Sequence, residues 1–234
     1  MNAKLLSPPR RSFLTRFAAA PLVGGLFAVA TAAAAPPSDS GGAFVPARHP
    51  EDDWLDTLPG KHRMFFDTTT ASAIGQGVFF ANNYFTGSRN GYGLEPKDVA
   101  LVIGMRHQST GFAFSDAMWA KYGAGLAERA GNFMDPKTKA VPVINVYRAS
   151  GYGQELSNLG VTIDAVAKNG VHFAVCQMAT RACSMAIARR TGGKAEDIYL
   201  ELTANLVPNA HMVPAGIVAV NHAQERGYSF VAVS

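Results

Sequence analysis

From Lys61 to Ser234, short runs rich in β-branched and aromatic residues alternate with longer runs in which apolar residues recur at helical spacing. Parallel strands need a crossover long enough to hold a helix, so this alternation points to an α/β fold with a doubly wound, mostly parallel sheet. Strands are expected over residues 62–67, 99–104, 171–176, 210–213 and 228–233. Helices are expected over 71–87, 114–129, 156–168, 180–190, 195–206 and 215–226. Met118, Trp119, Tyr122 and Leu126 recur on one helical face, as do Leu156, Leu159, Ile163 and Val166. Asn169-Gly170, Gly192-Gly193 and Gly227 supply the stops. No internal repeat is visible.

One stretch breaks the series. Residues 131–153 carry Asp135-Pro136, Pro142 and Tyr147 without periodicity. A loop of this length in a compact domain usually serves as a lid or binding loop. Its 141–147 portion could instead add an edge strand, where Pro142 is tolerated. Both readings stay open.

The N-terminal 35 residues read as a targeting segment rather than as fold. Arg10-Arg11-Ser12-Phe13-Leu14 resembles the signal of the twin-arginine export pathway, and an alanine-rich apolar run leads to small residues at Ala30, Ala32 and Ala34. Cleavage before Pro36 is expected. An uncleaved anchor is the alternative, although Pro21, Gly24 and Gly25 make the run weakly hydrophobic for a span of about 20 residues. The expected product is periplasmic, with no stable membrane span after cleavage. Residues 36–60, rich in Pro, Ser, Gly and acids, read as a linker docked through Trp54 and Leu55, and residues 61–234 as the α/β domain.

The targeting segment carries Lys4, Arg10, Arg11 and Arg16 and no acid, which accounts for the whole formal net charge of +4. The mature chain is therefore neutral. No Lys/Arg cluster backed by aromatics follows, so nucleic acid is not an expected partner.

In open parallel sheets, ligands bind beyond the carboxyl ends of the strands. The run Val171-His172-Phe173-Ala174-Val175-Cys176 ends on a cysteine at the mouth of a helix. A thiol so placed, near a cation, is a candidate nucleophile. Buried packing is the bland alternative. The strand before it ends at Arg106-His107, and Gln177 and Gly216 follow the third and fourth strands onto the same rim. Cys176 and His107 are the expected catalytic pair, with the imidazole taking the thiol proton or, when protonated, stabilising the thiolate. Arg106, Gln177 and Gly216 are expected to bind substrate. Cys183, seven residues on, lies roughly 10 Å farther along a helix, too far for a disulfide. No CxxC, HExxH or phosphate-binding glycine loop occurs, and Met105 and Met212 read as core filler. No cofactor and no metal are expected.

The cysteine strand resembles that of the DsrE/DsrF-like sulfur-relay family. The Val213-Pro214-Ala215-Gly216 stretch and the closing Gln224-Glu225-Arg226-Gly227-Tyr228 are similar to that family's ordered motifs. The resemblance spans residues 61–234. It implies a three-layer α/β/α fold around a five-stranded parallel sheet, assembly as a homo-oligomer, and Cys176 as a persulfide-forming sulfur acceptor. It also implies a small sulfur donor or a thiol/persulfide partner protein. Relay members are cytoplasmic and lack so long a 131–153 segment, and both are departures. The competing function is a non-catalytic periplasmic small-ligand-binding protein, with Phe112, Phe114, Trp119 and Tyr147 lining a pocket. An oligomeric assembly subunit is the third reading.

Overall fold

Seven consecutive buried residues, Val99–Met105, form the middle strand of the sheet. A strand buried on both faces reads as an unbroken apolar run, the mark of a parallel sheet covered on both sides. The computed structural model describes residues 44–234, and Val45–Ser234 is one compact unit. The expected targeting segment and the start of the linker lie outside the described residues. Among those described, no helix is long and apolar enough to cross a membrane.

The strands are β1 (His62–Thr68), β2 (Val99–Met105), β3 (His172–Cys176), β4 (Ala210–Val213) and β5 (Ser229–Val233). They form a single five-stranded sheet, all parallel, in the order β4-β3-β2-β1-β5. The helices are α1 (Trp54–Thr57), α2 (Ala71–Tyr92), α3 (Asp116–Arg129), α4 (Ile163–Lys168), α5 (Gln177–Thr191), α6 (Ala195–Thr203) and α7 (Gly216–Glu225).

Strand order explains the layers. Right-handed crossovers from β1 through β4 all step the same way and place their helices on one face. The step from β4 back to β5 reverses and places α7 on the other. Alternate residues along each strand divide accordingly. Leu101, Ile103, Met105, Phe173 and Val175 join the larger core under α2–α6. Ala100, Val102, Ala174 and Val213 join Leu55 of α1 and Ala219, Val220 and Ala223 of α7.

Helix ends follow local chemistry. The Thr70 hydroxyl accepts the Ala73 N–H at the start of α2, which closes on Gly93 in the left-handed region (φ +66°). The Cys176 sulfur occupies the equivalent position for α5, so that helix begins directly after β3 rather than at Thr180. The helix expected over 156–168 is shorter, spanning only Ile163–Lys168. Leu159 and Gly160 take positive φ, and the buried Asn158 amide donates to the Val161 carbonyl, closing a turn instead.

The 131–153 segment makes no edge strand. β4 and β5 hold the edges, and 141–147 pairs with neither. The segment is coil and turns, with a 3-10 stretch at Ser150–Glu155, fastened through polar side chains. The fully buried Asn145 amide donates to the carbonyls of Phe112 and Phe114 at 2.7 and 2.9 Å. The Tyr147 hydroxyl donates to the Ala71 carbonyl at 2.7 Å, and buried Asp135 accepts from Tyr152 at 2.6 Å.

Candidate functional site

At the carboxyl ends of β2, β3 and β4 a cavity of about 300 Å³ opens. Arg106 and His107 reach it from β2, Cys176 from β3, Gly216 from the turn after β4, and Arg129 from the end of α3. The sheet's topological switch lies elsewhere, between β1 and β5.

Cys176 is 7% exposed, so its sulfur is part of the cavity wall rather than a projecting group. Its position follows from its dihedral angles (φ −68°, ψ 114°), which end β3 and aim the side chain at the first turn of α5. There the sulfur accepts the Ala179 N–H at 3.4 Å. Amides directed at sulfur interact more strongly with an anion than with a neutral thiol.

Arg106 makes a two-pronged ion pair with Asp67, Nε–Oδ1 2.8 Å and Nη2–Oδ2 2.7 Å. Asp67, the penultimate residue of β1, is buried, while the arginine is partly exposed. Hydrogen bonding to Asp67 raises the arginine's pKa above its ordinary value, with a lesser push in the same direction from the Cys176 sulfur. Gly216 admits this arginine. A Cβ there would stand 2.6 Å from Arg106 Cβ, so α7 can begin over the arginine stem only with glycine. Gly216 thus serves the site through backbone approach.

His107 is exposed and sits at φ +59°, an uncommon conformation for a residue with a side chain. The turn that carries it is fixed from below. Ser109 donates to the Thr68 or Arg106 carbonyl, each at 2.9 Å, and accepts from the Thr68 hydroxyl at 3.0 Å, while Thr110 donates to the Met105 carbonyl at 3.1 Å. Strained backbone held by its surroundings gathers at functional sites.

Gln177 is not on the cavity wall. Being the first residue of α5, it turns toward α6, where its amide donates to the Tyr199 hydroxyl at 2.9 Å. Cys183 lies within α5, 1% exposed, and the two cysteines are free thiols. Burial pushes its pKa up to about 12, against a weaker downward pull from Arg129.

Arg129 is the residue that the sequence did not mark. It closes a helix, where a basic residue is ordinary, and nothing local ties it to Cys176. The link is tertiary. Gly125 lets α3 approach α5 so closely that a Cβ there would stand 2.6 Å from Ile187, bringing the end of α3 to the cavity.

Searches against family models, curated proteins and solved structures found no match to this chain.

Proposed function

We propose that the protein is an exported sulfur carrier, or sulfurtransferase, that forms a persulfide on Cys176. The observation that carries this reading is the cavity wall itself, where the sulfur at the end of β3 is joined by Arg106 and His107 from the end of β2 and Arg129 from the end of α3. His107 accepts the thiol proton. The Cys176 thiolate then attacks the outer sulfur of a donor R–S–SH, that S–S bond breaks, and R–S⁻ departs with its electron pair. An acceptor thiolate reverses the step, attacking the outer sulfur and releasing Cys176 as thiolate. The Arg106–Asp67 pair fixes a cation beside the sulfur, which favours the anionic states on either side of transfer. The resemblance to DsrE/DsrF-like relay proteins, and the twin-arginine motif, support the same reading and the periplasmic setting. Met178 and Ile217, 68% and 59% exposed, flank the cavity mouth and suit a docking partner that bears the acceptor thiol.

The test is incubation with a sulfur donor followed by intact-protein mass spectrometry. Wild type and Cys183→Ser should gain one sulfur atom, and Cys176→Ser none. Equal labelling of all three would remove Cys176 from the chemistry.

One feature favours the second reading, a ligand-binding protein. A larger cavity of about 460 Å³ opens beside Thr70, Gln108, Phe133, Tyr147 and Leu156, walled partly by the 131–157 segment. A small molecule that raises the melting temperature of Cys176→Ser as much as that of wild type would support it.

A further inference from the structure

The cavity beside Cys176 carries one more charge than the sulfur chemistry uses. Arg106 is committed to Asp67 through both prongs of its guanidinium. Arg129 has no such carboxylate anchor, and besides the cavity it bears only on the buried, protonated Cys183 thiol and the already engaged Glu128. Among the described residues no carboxylate lies within ion-pair distance of it, and its Nε is buried without a hydrogen-bond partner. The carboxylate next to it in sequence, Glu128, is engaged by Arg190 at 2.7 Å and Arg189 at 3.7 Å. Among the described residues no acidic side chain lines the cavity. A buried guanidinium N–H left unpaired is costly, and planar donors of this kind match oxyanions. The first turns of α5 and α7 also meet the cavity, through Met178, Ala179, Gly216 and Ile217, and a helix N-terminus adds partial positive charge.

We infer that Arg129 is the anion-recognition residue of this cavity, and that the sulfur donor it selects is a small sulfur oxyanion of the thiosulfate type. The inference rests on the reading of Cys176 as the sulfur acceptor, and adds the donor's class and the residue that chooses it. The sulfonate oxygens lie against Arg129, and the outer sulfur faces Cys176. The thiolate attacks that outer sulfur, the donor's S–S bond breaks, and sulfite leaves with the electron pair. Thiolate plus thiosulfate gives persulfide anion plus sulfite, with no net oxidation and no further reactant.

Two measurements separate this inference from the reading beneath it. The first is calorimetric titration of inorganic thiosulfate into Cys176→Ser, which cannot be loaded. Saturable 1:1 binding is expected, competed by sulfate, weakened at least tenfold by adding Arg129→Gln and by less when Arg129→Lys is added instead. Circular dichroism confirms that each variant is folded, and Arg129→Lys keeps the test alive if the glutamine variant is not. Absence of binding to Cys176→Ser, or equal binding by the glutamine double variant, would overturn the inference. The second is the thiosulfate concentration that half-saturates persulfide formation in the Cys176 protein, expected to rise at least tenfold in Arg129→Gln. Half-saturation that does not move would overturn the inference too. If wild type forms no persulfide from any donor while the titration behaves as expected, the sulfur-carrier reading fails and the anion site stands.

Discussion

The thiol of Cys183 sits inside the larger core against the end of α3, and desolvation holds its pKa near about 12. At neutral pH it is a protonated packing group, and thiolate, not thiol, is the nucleophile. Cys183→Ala is therefore expected to leave sulfur loading intact and to lower stability by about 1 kcal/mol, the scale of a small buried truncation. Asp67 is the opposite case. Asp67→Asn removes the charge from a buried carboxylate and strands Arg106. Breaking a buried pair costs about 3–5 kcal/mol, and the partial exposure of Arg106 reduces that to about 2 kcal/mol here. Urea denaturation should show this loss, with sulfur loading impaired as Arg106 leaves its place. Gly216→Ala is expected to cost about 1–3 kcal/mol, since the added methyl meets the Arg106 stem.

Residues 50–57 act as a single docked element. Leu55 is fully buried, and its carbonyl accepts from the Tyr228 hydroxyl at 2.7 Å and from Arg63 at 3.1 Å. Asp52 pairs with His222 at 2.5 Å, and Arg226 reaches Asp56 at 3.2 Å. Trp54 lies flat on His211, ring centroids 4.1 Å apart, and His211 Nε2 meets His172 Nδ1 at 2.8 Å. One of those nitrogens must accept, so both rings cannot be imidazolium and keep their bond. Burial lowers the pKa of both rings, that of His211 to about 4, with His172 adding to the effect. The unfolded chain then binds more protons than the folded one between the free-histidine value of 6.5 and about 4. Stability is full above that window and falls as pH drops through it. Both rings are partly exposed to solvent, so the loss is on the order of 1–2 kcal/mol after screening. Trp54 fluorescence against pH should report loosening of this element between pH 6.5 and 4, and His211→Gln should flatten the response.

Across the whole molecule, sheet and layers were legible in the sequence because periodicity records burial, and every expected strand lies within one residue of its position in the structure. Cys176 was legible because strand ends in a parallel sheet share a rim. Arg129 was not, since the contact between Gly125 and Ile187 that delivers it leaves no local pattern. The 131–157 segment escaped for a related reason. Val146, Tyr147, Tyr152 and Leu156 are buried in the larger core, but irregular backbone imposes no period on them. A segment fastened this way belongs to the cooperative unit. Tyr147→Ala is expected to cost about 3–5 kcal/mol, the range for losing a large buried aromatic, within a single two-state transition. Limited proteolysis of the native protein should leave residues 131–157 uncut; early cleavage there would show a lid that opens.

The most direct test of the Cys176 site is competitive alkylation of the native protein with iodoacetate and iodoacetamide, resolved by peptide mass. Modification of Cys176 alone is expected, with the anionic reagent gaining on the neutral one relative to a free thiol, and Cys183 reacting only after unfolding. Protection of Cys176 equal to that of Cys183 would contradict the account.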